Sequence, residues 1–425
     1  MPLRSLWLGL SLVLVVAGLL AGYGVLAGFG VLCLLSGGLA RLWGRFALAR
    51  VSYRRELEQD RAFVGDTVLL TASLTNRKPL PLPWVEVVDH VPAALAPEGV
   101  RPALDATGLV QVRRTTALGW YQRAAWTCRL PCRTRGYHRL GPAALRSGDL
   151  FGLFEQRRPA PEPARLVVYP ETLDLEPLGF ASRRAFGEHR GTERLFEDPL
   201  RVSGVRDYQP GDPMKRIAWG PTARTGRLLS RVYEPSTTPS LLVVLNVATM
   251  PHTWEGYDPE LLERAVSVAA SVARDAAEAR YAVGLLANAS FPEADRPLRI
   301  PPGRSPDQLP RVLEALAAVS PFVLMPMEEL LERERTSLPW GATVVAVTAL
   351  LPEPLQAVLL GLRDAGHPVH VVSVAREPVH AEASRLPVAN VGAALERAAF
   401  GPGRAARAAA GNGRAASGGE VVGRA

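Results

Sequence analysis

The segment from Gly204 to Leu228 concentrates charged and aromatic side chains just ahead of an apolar run. It reads GVRDYQPGDPMKRIAWGPTARTGRL. Arginine guanidinium groups bind carboxylates through paired hydrogen bonds and stack on aromatic rings, so these residues together predict a closed polar network. The members of this signature cluster are Arg206, Asp207, Tyr208, Gly211, Asp212, Arg216, Trp219, Thr222 and Arg224.

Within the signature cluster, the two aspartates are expected to pair with at least two of the three arginines, and Trp219 is expected to exclude water. Pro210 and Gly211 predict a turn that leads into Asp212. His189 is the nearest histidine, and no serine or cysteine stands in a recognisable motif with it, so no catalytic residue is predicted. Two uses remain: a structural lock, or a recognition surface for an acidic partner or a peptide terminus. The alternative is an envelope-associated hydrolase that uses the 207–224 polar cluster.

The composition excludes several classes of protein. The chain has 425 residues, 48% of them hydrophobic and 21% charged, which indicates more than one folded domain. Its three cysteines, Cys33, Cys128 and Cys132, exclude a disulfide scaffold. The net charge is +8, but no nucleic-acid-binding motif is present, so no nucleic acid partner is expected. The GxxxxGK motif of nucleotide hydrolases is absent, and no cofactor is expected.

The N-terminus predicts a transmembrane helical hairpin over residues 1–45. No charged residue lies between Arg4 and Arg41, a stretch clearly longer than the roughly 20 residues of one span. Gly22-Tyr23-Gly24 divides it into two short spans, about Leu6–Ala21 and Gly24–Trp43; a single long tilted helix is the alternative. A signal peptide would be shorter. The arginines that follow place the soluble parts in the cytoplasm, with the protein in the cell membrane.

Residues 51–170 predict a β-sandwich. The stretch DTVLLTASLTN alternates apolar and polar residues with the period of a strand, and similar short runs follow at regular spacing between turn residues. This pattern is typical of an immunoglobulin-like or fibronectin-like sandwich.

The remaining chain divides into three parts. Residues 171–235 form a signature linker segment, and residues 236–400 alternate apolar strands such as SLLVVLNV with amphipathic helices, which predicts a doubly wound α/β domain. Residues 401–425 are rich in glycine, alanine and arginine and are expected to be a disordered tail.

The segment YQPGDPMKRIAWGPTAR closely resembles the signature of the domain of unknown function 58 family. The resemblance extends over about Leu6 to Val374. It implies that the α/β domain is von Willebrand factor A-like and that the protein is not an enzyme. It also implies that the protein works with a MoxR-type AAA+ ATPase and with other membrane proteins, among them transglutaminase-like ones.

The resemblance also locates a candidate metal site. Von Willebrand factor A domains bind a divalent cation through an Asp-x-Ser-x-Ser loop and a later strand that ends in Asp. Here Asn246, Ala248, Met250 and Ala349 stand at those positions, with Thr348 as the one hydroxyl. Alanine and methionine cannot supply the oxygen ligands that such a cation requires, so we predict a degenerate site without metal. The expected function is a membrane-anchored protein-interaction scaffold.

Overall fold

A computed structural model describes residues 2–97, 108–150, 152, 154–160, 164–178, 180, 197–209, 212, 214, 217–235, 239–291, 294–379, 386–397 and 421–424. The chain divides into two compact units. The first comprises residues 1–171 and 401–425, and the second comprises residues 172–400.

Two apolar helices open the first unit, α1 (Pro2–Leu20) and α2 (Gly24–Phe46). Gly22 turns the chain between them with a φ of 74°, a left-handed conformation that glycine adopts without strain. The break confirms two helices in place of one long helix. A Cβ atom on Gly30 would lie 2.8 Å from the Val15 backbone nitrogen, so the two helices are in close contact. Among the described residues, α2 is the one helix long and apolar enough to cross a membrane, a property that membrane anchors share with signal sequences.

The rest of the first unit is built from antiparallel sheets, apart from one parallel pair, β2 with β10. One four-stranded sheet has the order β1-β3-β6-β19, a second has the order β5-β4-β8-β9, and three further strands form a sheet in the order β2-β10-β7. The strands are β1 (Val51–Leu57), β2 (Arg61–Phe63), β3 (Thr67–Asn76), β4 (Leu82–Pro92), β5 (Leu109–Leu118), β6 (Gln122–Pro131), β7 (Gly136–Leu140), β8 (Ala144–Gly148), β9 (Glu155–Pro159), β10 (Ala164–Tyr169) and β19 (Val421–Arg424).

The core of this unit follows from the alternation in the sequence. Every second residue of β3 points inward, so Val68, Leu70, Ala72 and Leu74 are all buried. Side chains from both four-stranded sheets share one buried cluster with Leu74, which shows that the two sheets face each other across it.

The second unit carries a six-stranded sheet in the order β15-β14-β13-β16-β17-β18, parallel except for β15. Its strands are β13 (Ser240–Leu245), β14 (Ala282–Phe291), β15 (Ala294–Gly303), β16 (Thr343–Thr348), β17 (Val369–Ser373) and β18 (Val388–Asn390). The helices of this sheet are α4 (Pro259–Glu278), α5 (Gln308–Ala318), α6 (Met327–Glu334), α7 (Glu353–Asp364) and α8 (Gly392–Arg397). A separate hairpin pairs β11 (Glu197–Asp207) with β12 (Leu229–Pro235), and α3 (Trp219–Thr225) lies between them in sequence.

The central strands β13 and β16 are apolar except at their ends, as expected where helices cover both faces of a sheet. All residues of β16 are buried. Leu242 and Val244 pack with α6 and α7 on one face, while α4 packs against β13, β14 and β16, and α5 packs against β14 and β15. The strand order reverses between β13 and β16, and such a point is where doubly wound sheets bind ligands at their carboxyl edge.

The chain end requires one correction. Residues 401–420 lie outside the described residues, so the expectation of a disordered tail stays a prediction there. Val421–Arg424, in contrast, forms β19 and pairs with β6 from Gln122 to Ala125. An edge strand leaves unpaired backbone groups that a short valine-containing segment can complete, whatever the composition before it.

Candidate functional site

Asp212 is the centre of the signature cluster. Arg206 Nη2 donates to Asp212 Oδ1 at 2.7 Å, and the Gln209 amide donates to Oδ2 at 3.1 Å. The Tyr208 hydroxyl donates to the Asp212 carbonyl at 3.2 Å. The carboxylate thus closes the predicted turn and ties it to the end of β11, which makes it a structural group with both oxygens engaged.

The segment after this turn is held against β12. Ile217 and Ala218 are buried, and the Ala218 amide donates to the Leu229 carbonyl at 2.8 Å. The Leu229 amide donates to Thr222 Oγ1 at 3.1 Å. Thr222 therefore has a specific role, because its hydroxyl joins α3 to β12.

Other members of the signature cluster differ from the prediction. Trp219 is 62% exposed, so it does not exclude water; Ile217 and Ala218 fill the space beside β12 instead. Asp207 and Arg224 are exposed, and within the described part of the segment neither side chain forms an ion pair. Gly211 and Arg216 lie outside the described residues.

A second polar cluster lies at the carboxyl edge of the six-stranded sheet, where the degenerate metal positions were predicted. Asn246 directly follows β13, and its Nδ2 donates to Thr348 Oγ1 at 3.1 Å. Asn246 Oδ1 accepts from Asn288 Nδ2 at 2.9 Å and from the Ala248 amide at 3.1 Å. Asn288 Oδ1 in turn accepts from the Val247 amide at 2.9 Å. We call Asn246, Asn288 and Thr348 the carboxyl-edge network.

This network consists of neutral groups that satisfy one another. Both polar atoms of Asn246 are engaged, and the Thr348 hydroxyl also donates to the Leu350 carbonyl at 2.5 Å. Ala349 is buried, whereas Ala248 and Met250 are partly buried, and none of the three side chains carries a group for a hard cation. Among the residues that the structure describes, no three His, Cys, Asp or Glu side chains group closely enough to hold a metal ion.

Charged residues surround the neutral network. Asp258 caps the N-terminus of α4 by accepting from the Glu260 amide at 2.9 Å, and its other oxygen lies 3.1 Å from Arg376 Nη2. Arg376 also lies near Glu260 and Glu396, and the buried Arg264 pairs with both of these glutamates. The loop before Asp258 is therefore anchored at its C-terminal end by ion pairs.

That loop presents aromatic side chains to solvent. The rings of His252 and Trp254 stack with centroids 4.3 Å apart, Trp254 is 79% exposed, and Tyr257 is also exposed. The Asp258 amide donates to the buried Thr249 Oγ1 at 2.8 Å, which closes the base of the loop. A firmly held loop with exposed aromatic residues is suited to binding another protein.

The region that contains both polar clusters matches a known protein family. Residues 204–388 match the family described as "Protein of unknown function DUF58". These residues are a DUF58 domain. The match begins in β11 and ends in β18, so the DUF58 domain includes the signature cluster and the carboxyl-edge network together.

A curated relative of this protein is the "Uncharacterized protein YeaD" of Bacillus subtilis (strain 168), which is 25% identical over 246 residues. The aligned part is 55% of this chain and 54% of that protein, so the chain spans about half the length of the relative it matches.

Two solved structures show distant likeness. A CARDB domain from Pyrococcus furiosus is 11% identical with a TM-score of 0.19, over 28% of this chain and 91% of that one. The alkylpurine DNA glycosylase AlkC of Pseudomonas fluorescens is 11% identical with a TM-score of 0.18, over 34% of this chain and 38% of that one. At these TM-scores neither likeness defines a fold.

Several residues of the DUF58 domain were missed by reasoning from the sequence. Asn288 interrupts the apolar strand AVGLLANAS, and a polar residue inside a buried strand is the signal that could have identified it. Trp254 lies in a loop with no periodic pattern. The pairing of Arg376 with Asp258 joins residues more than 100 positions apart, and no local pattern predicts such a contact.

Proposed function

We propose that this protein is a membrane-anchored scaffold that binds other proteins and faces the cytoplasm. The length and apolar character of α2 support the anchor, and α1 completes a helical hairpin beside it. The exposed Arg41, Arg45 and Arg50 at the end of α2 favour the cytoplasmic side of the cell membrane, since basic residues are retained there.

We further infer a specific fold type for the β-rich region and for the α/β region. Two facing antiparallel sheets with a common core support an immunoglobulin-like or fibronectin-like sandwich. A sheet in the order β15-β14-β13-β16-β17-β18, with an antiparallel edge strand, supports a von Willebrand factor A-like domain with a degenerate metal site.

One observation carries the proposal: the aromatic loop at the carboxyl edge of the α/β sheet. Trp254 and Tyr257 are exposed, and Arg376 lies close by among carboxylates. Tryptophan, tyrosine and arginine are the residues that contribute most to protein–protein binding. The carboxyl-edge network beneath them consists of paired neutral groups, which favours a rigid platform over chemistry on a substrate.

The partner we propose is a MoxR-type AAA+ ATPase, with other membrane proteins as further partners. This choice rests on the resemblance to the family and on the absence of a nucleotide-hydrolysis motif from this chain. The scaffold would hold the ATPase at the membrane, and the ATPase would supply the energy of ATP hydrolysis. No enzymatic activity is proposed for the chain itself.

The test is co-purification of the full chain from membranes after mild crosslinking, with an AAA+ ATPase as the protein sought. Trp254→Ala should reduce recovery of the ATPase at least tenfold. The control is Trp340→Ala, because Trp340 is 61% exposed but precedes β16 at the opposite, amino edge of the sheet. Equal recovery of the ATPase with both variants would exclude the aromatic loop as its binding site. Failure to recover any ATPase, together with turnover of a substrate panel that Asp212→Asn abolishes, would favour a hydrolase instead.

A further inference from the structure

The end of the first unit that receives α2 has an unusual surface. β1 and β6 begin there and β3 ends there, since Val51 pairs with Asn76 and Thr75 pairs with Arg123. The β3–β4 and β5–β6 turns lie at the same end. We call this surface the helix-proximal end: residues 45–50, 77–81, 119–121 and 149–150.

The residues that directly follow α2 are built into this end. Ala47 and Leu48 are buried in the cluster that the two sheets share. Lys78 Nζ donates to the carbonyl oxygens of Ala47 at 2.5 Å and Ala49 at 3.0 Å. Arg158 donates to the Leu48 carbonyl at 2.9 Å. The buried Lys78 and the partly buried Arg158 therefore complete the carbonyl groups that a helix leaves unpaired at its C-terminus.

The direction of α2 relative to the sheets is fixed as well. Gln156 Nε2 donates to the Arg45 carbonyl at 3.1 Å. A Cβ atom on Gly44 would lie 2.5 Å from the Phe154 carbonyl oxygen, so helix and loop are in direct backbone contact. A membrane in which α2 stands would consequently meet the same surface of this unit in every copy.

That surface carries aromatic residues that point away from the core. Trp120 is 65% exposed, and Tyr121 and Leu150 are exposed too. The β5–β6 turn is tied to the helix joint, because the Tyr121 amide donates to the Lys78 carbonyl at 3.3 Å. Tryptophan and tyrosine are enriched at the headgroup level of membranes, where one side of the ring is apolar and the other is wet.

The same surface is basic. Arg45, Arg50 and Arg77 are exposed, and within the described residues none of the three forms an ion pair. The acidic residue of this end, Asp149, is buried and accepts from the Phe154 amide at 2.6 Å, so it does not offset them. Clusters of basic residues beside a membrane helix attract anionic lipid.

We propose that the helix-proximal end rests on the headgroup layer of the leaflet from which α2 emerges. Trp120 and Tyr121 enter the interface, and Arg50 and Arg77 contact the phosphates of anionic phospholipids. The proposal rests on the membrane anchor of the proposed function. Its occupant is the bilayer, because an apolar helix, exposed aromatic rings and exposed basic residues meet at one end of the unit.

The test uses the full chain reconstituted into phosphatidylcholine vesicles whose acyl chains carry bromine close to the headgroup, which quenches nearby tryptophan. The quenched part of the fluorescence should fall in Trp120→Phe. In the control Trp254→Phe, which removes an exposed tryptophan of the second unit, it should not fall. Circular dichroism confirms that both conservative variants remain folded.

The outcomes separate the two proposals. Equal quenching in Trp120→Phe and the unaltered chain, with quenching still present, would overturn the headgroup contact and leave the anchor intact, since Trp43 in α2 would report insertion. No quenching in any variant would overturn the anchor itself.

A second experiment tests whether Arg50 and Arg77 bind anionic lipid. Adding brominated phosphatidylglycerol at about one lipid in three should increase quenching of Trp120 in the unaltered chain. The increase should disappear in Arg50→Gln/Arg77→Gln and persist in the control Arg304→Gln, an exposed arginine of the second unit. An increase of the same size in all three proteins would overturn the role of anionic lipid.

Discussion

Asn288 offers the sharpest perturbation of the carboxyl-edge network. The residue is 1% exposed, and it accepts from the Val247 amide at 2.9 Å and donates to the Met325 carbonyl at 3.3 Å as well as to Asn246. In Asn288→Ala the buried Val247 amide and the partly buried Met325 carbonyl lose this partner, and each unpaired group costs about 1 to 3 kcal/mol. We therefore expect the free energy of local unfolding to fall by about 2 to 6 kcal/mol.

Hydrogen exchange measured by mass spectrometry on the full chain checks this, because peptides from β13, β14 and β16 report the opening of this sheet directly. The matched control is Asn390→Ala. Asn390 is an exposed residue of the same sheet that also bonds the backbone, through Val379, and exposed sites of this kind change stability by about 0.5 kcal/mol. Equal losses of protection in the two variants would refute the view that Asn288 supports the platform.

Three further predictions concern the helix joint, the hairpin and the metal positions. Burial lowers the pKa of Lys78 from 10.5 to about 8, so between pH 8 and 10.5 the unfolded chain holds a proton that the folded chain has released. The free energy of unfolding should therefore rise with pH across that window. Thermal unfolding of Lys78→Met, measured over the same pH range, should lack this rise. Gly30→Val should separate α1 from α2 and lower the melting temperature in detergent, whereas Gly28→Val, with no atom within 4 Å of its added Cβ, should not; equal melting temperatures would contradict the close packing. Mg²⁺ titrated against the full chain should leave the melting temperature unchanged, since both polar atoms of the Asn246 side chain are already bonded; a clear increase would contradict the degenerate site.

The elements that the sequence predicted best are those with a strong local pattern. The uncharged run up to Arg41, broken at Gly22, became α1 and α2, and the apolar run SLLVVL became β13. Edge strands were missed. β15 contains three prolines and β18 has only three residues, so neither shows the pattern of a strand; each forms because a neighbouring strand offers unpaired backbone groups.

The candidate site divides in the same way. Arg206, Tyr208 and Asp212 lie within seven residues; the sequence predicted pairing between arginine and aspartate here, but it did not predict the hydrogen bond from Tyr208. The exposure of Trp219 could not be predicted from the sequence, since an aromatic residue is buried only where other elements cover it. Trp219 lies at the start of a short helix and stays in solvent.

The apolar helices, the alternation in the β strands, the buried strands of the α/β unit and the turn at Asp212 were predictable from the sequence, because each depends on neighbours along the chain. The contacts of Asn288 with Asn246, of Arg376 with Asp258, and of Lys78 with the end of α2 became visible in the folded chain alone. These contacts join residues about 30 to more than 100 positions apart. Burial and hydrogen bonding depend on which residues the folded chain brings together, and the local periodicity of the sequence does not indicate which distant residues these are.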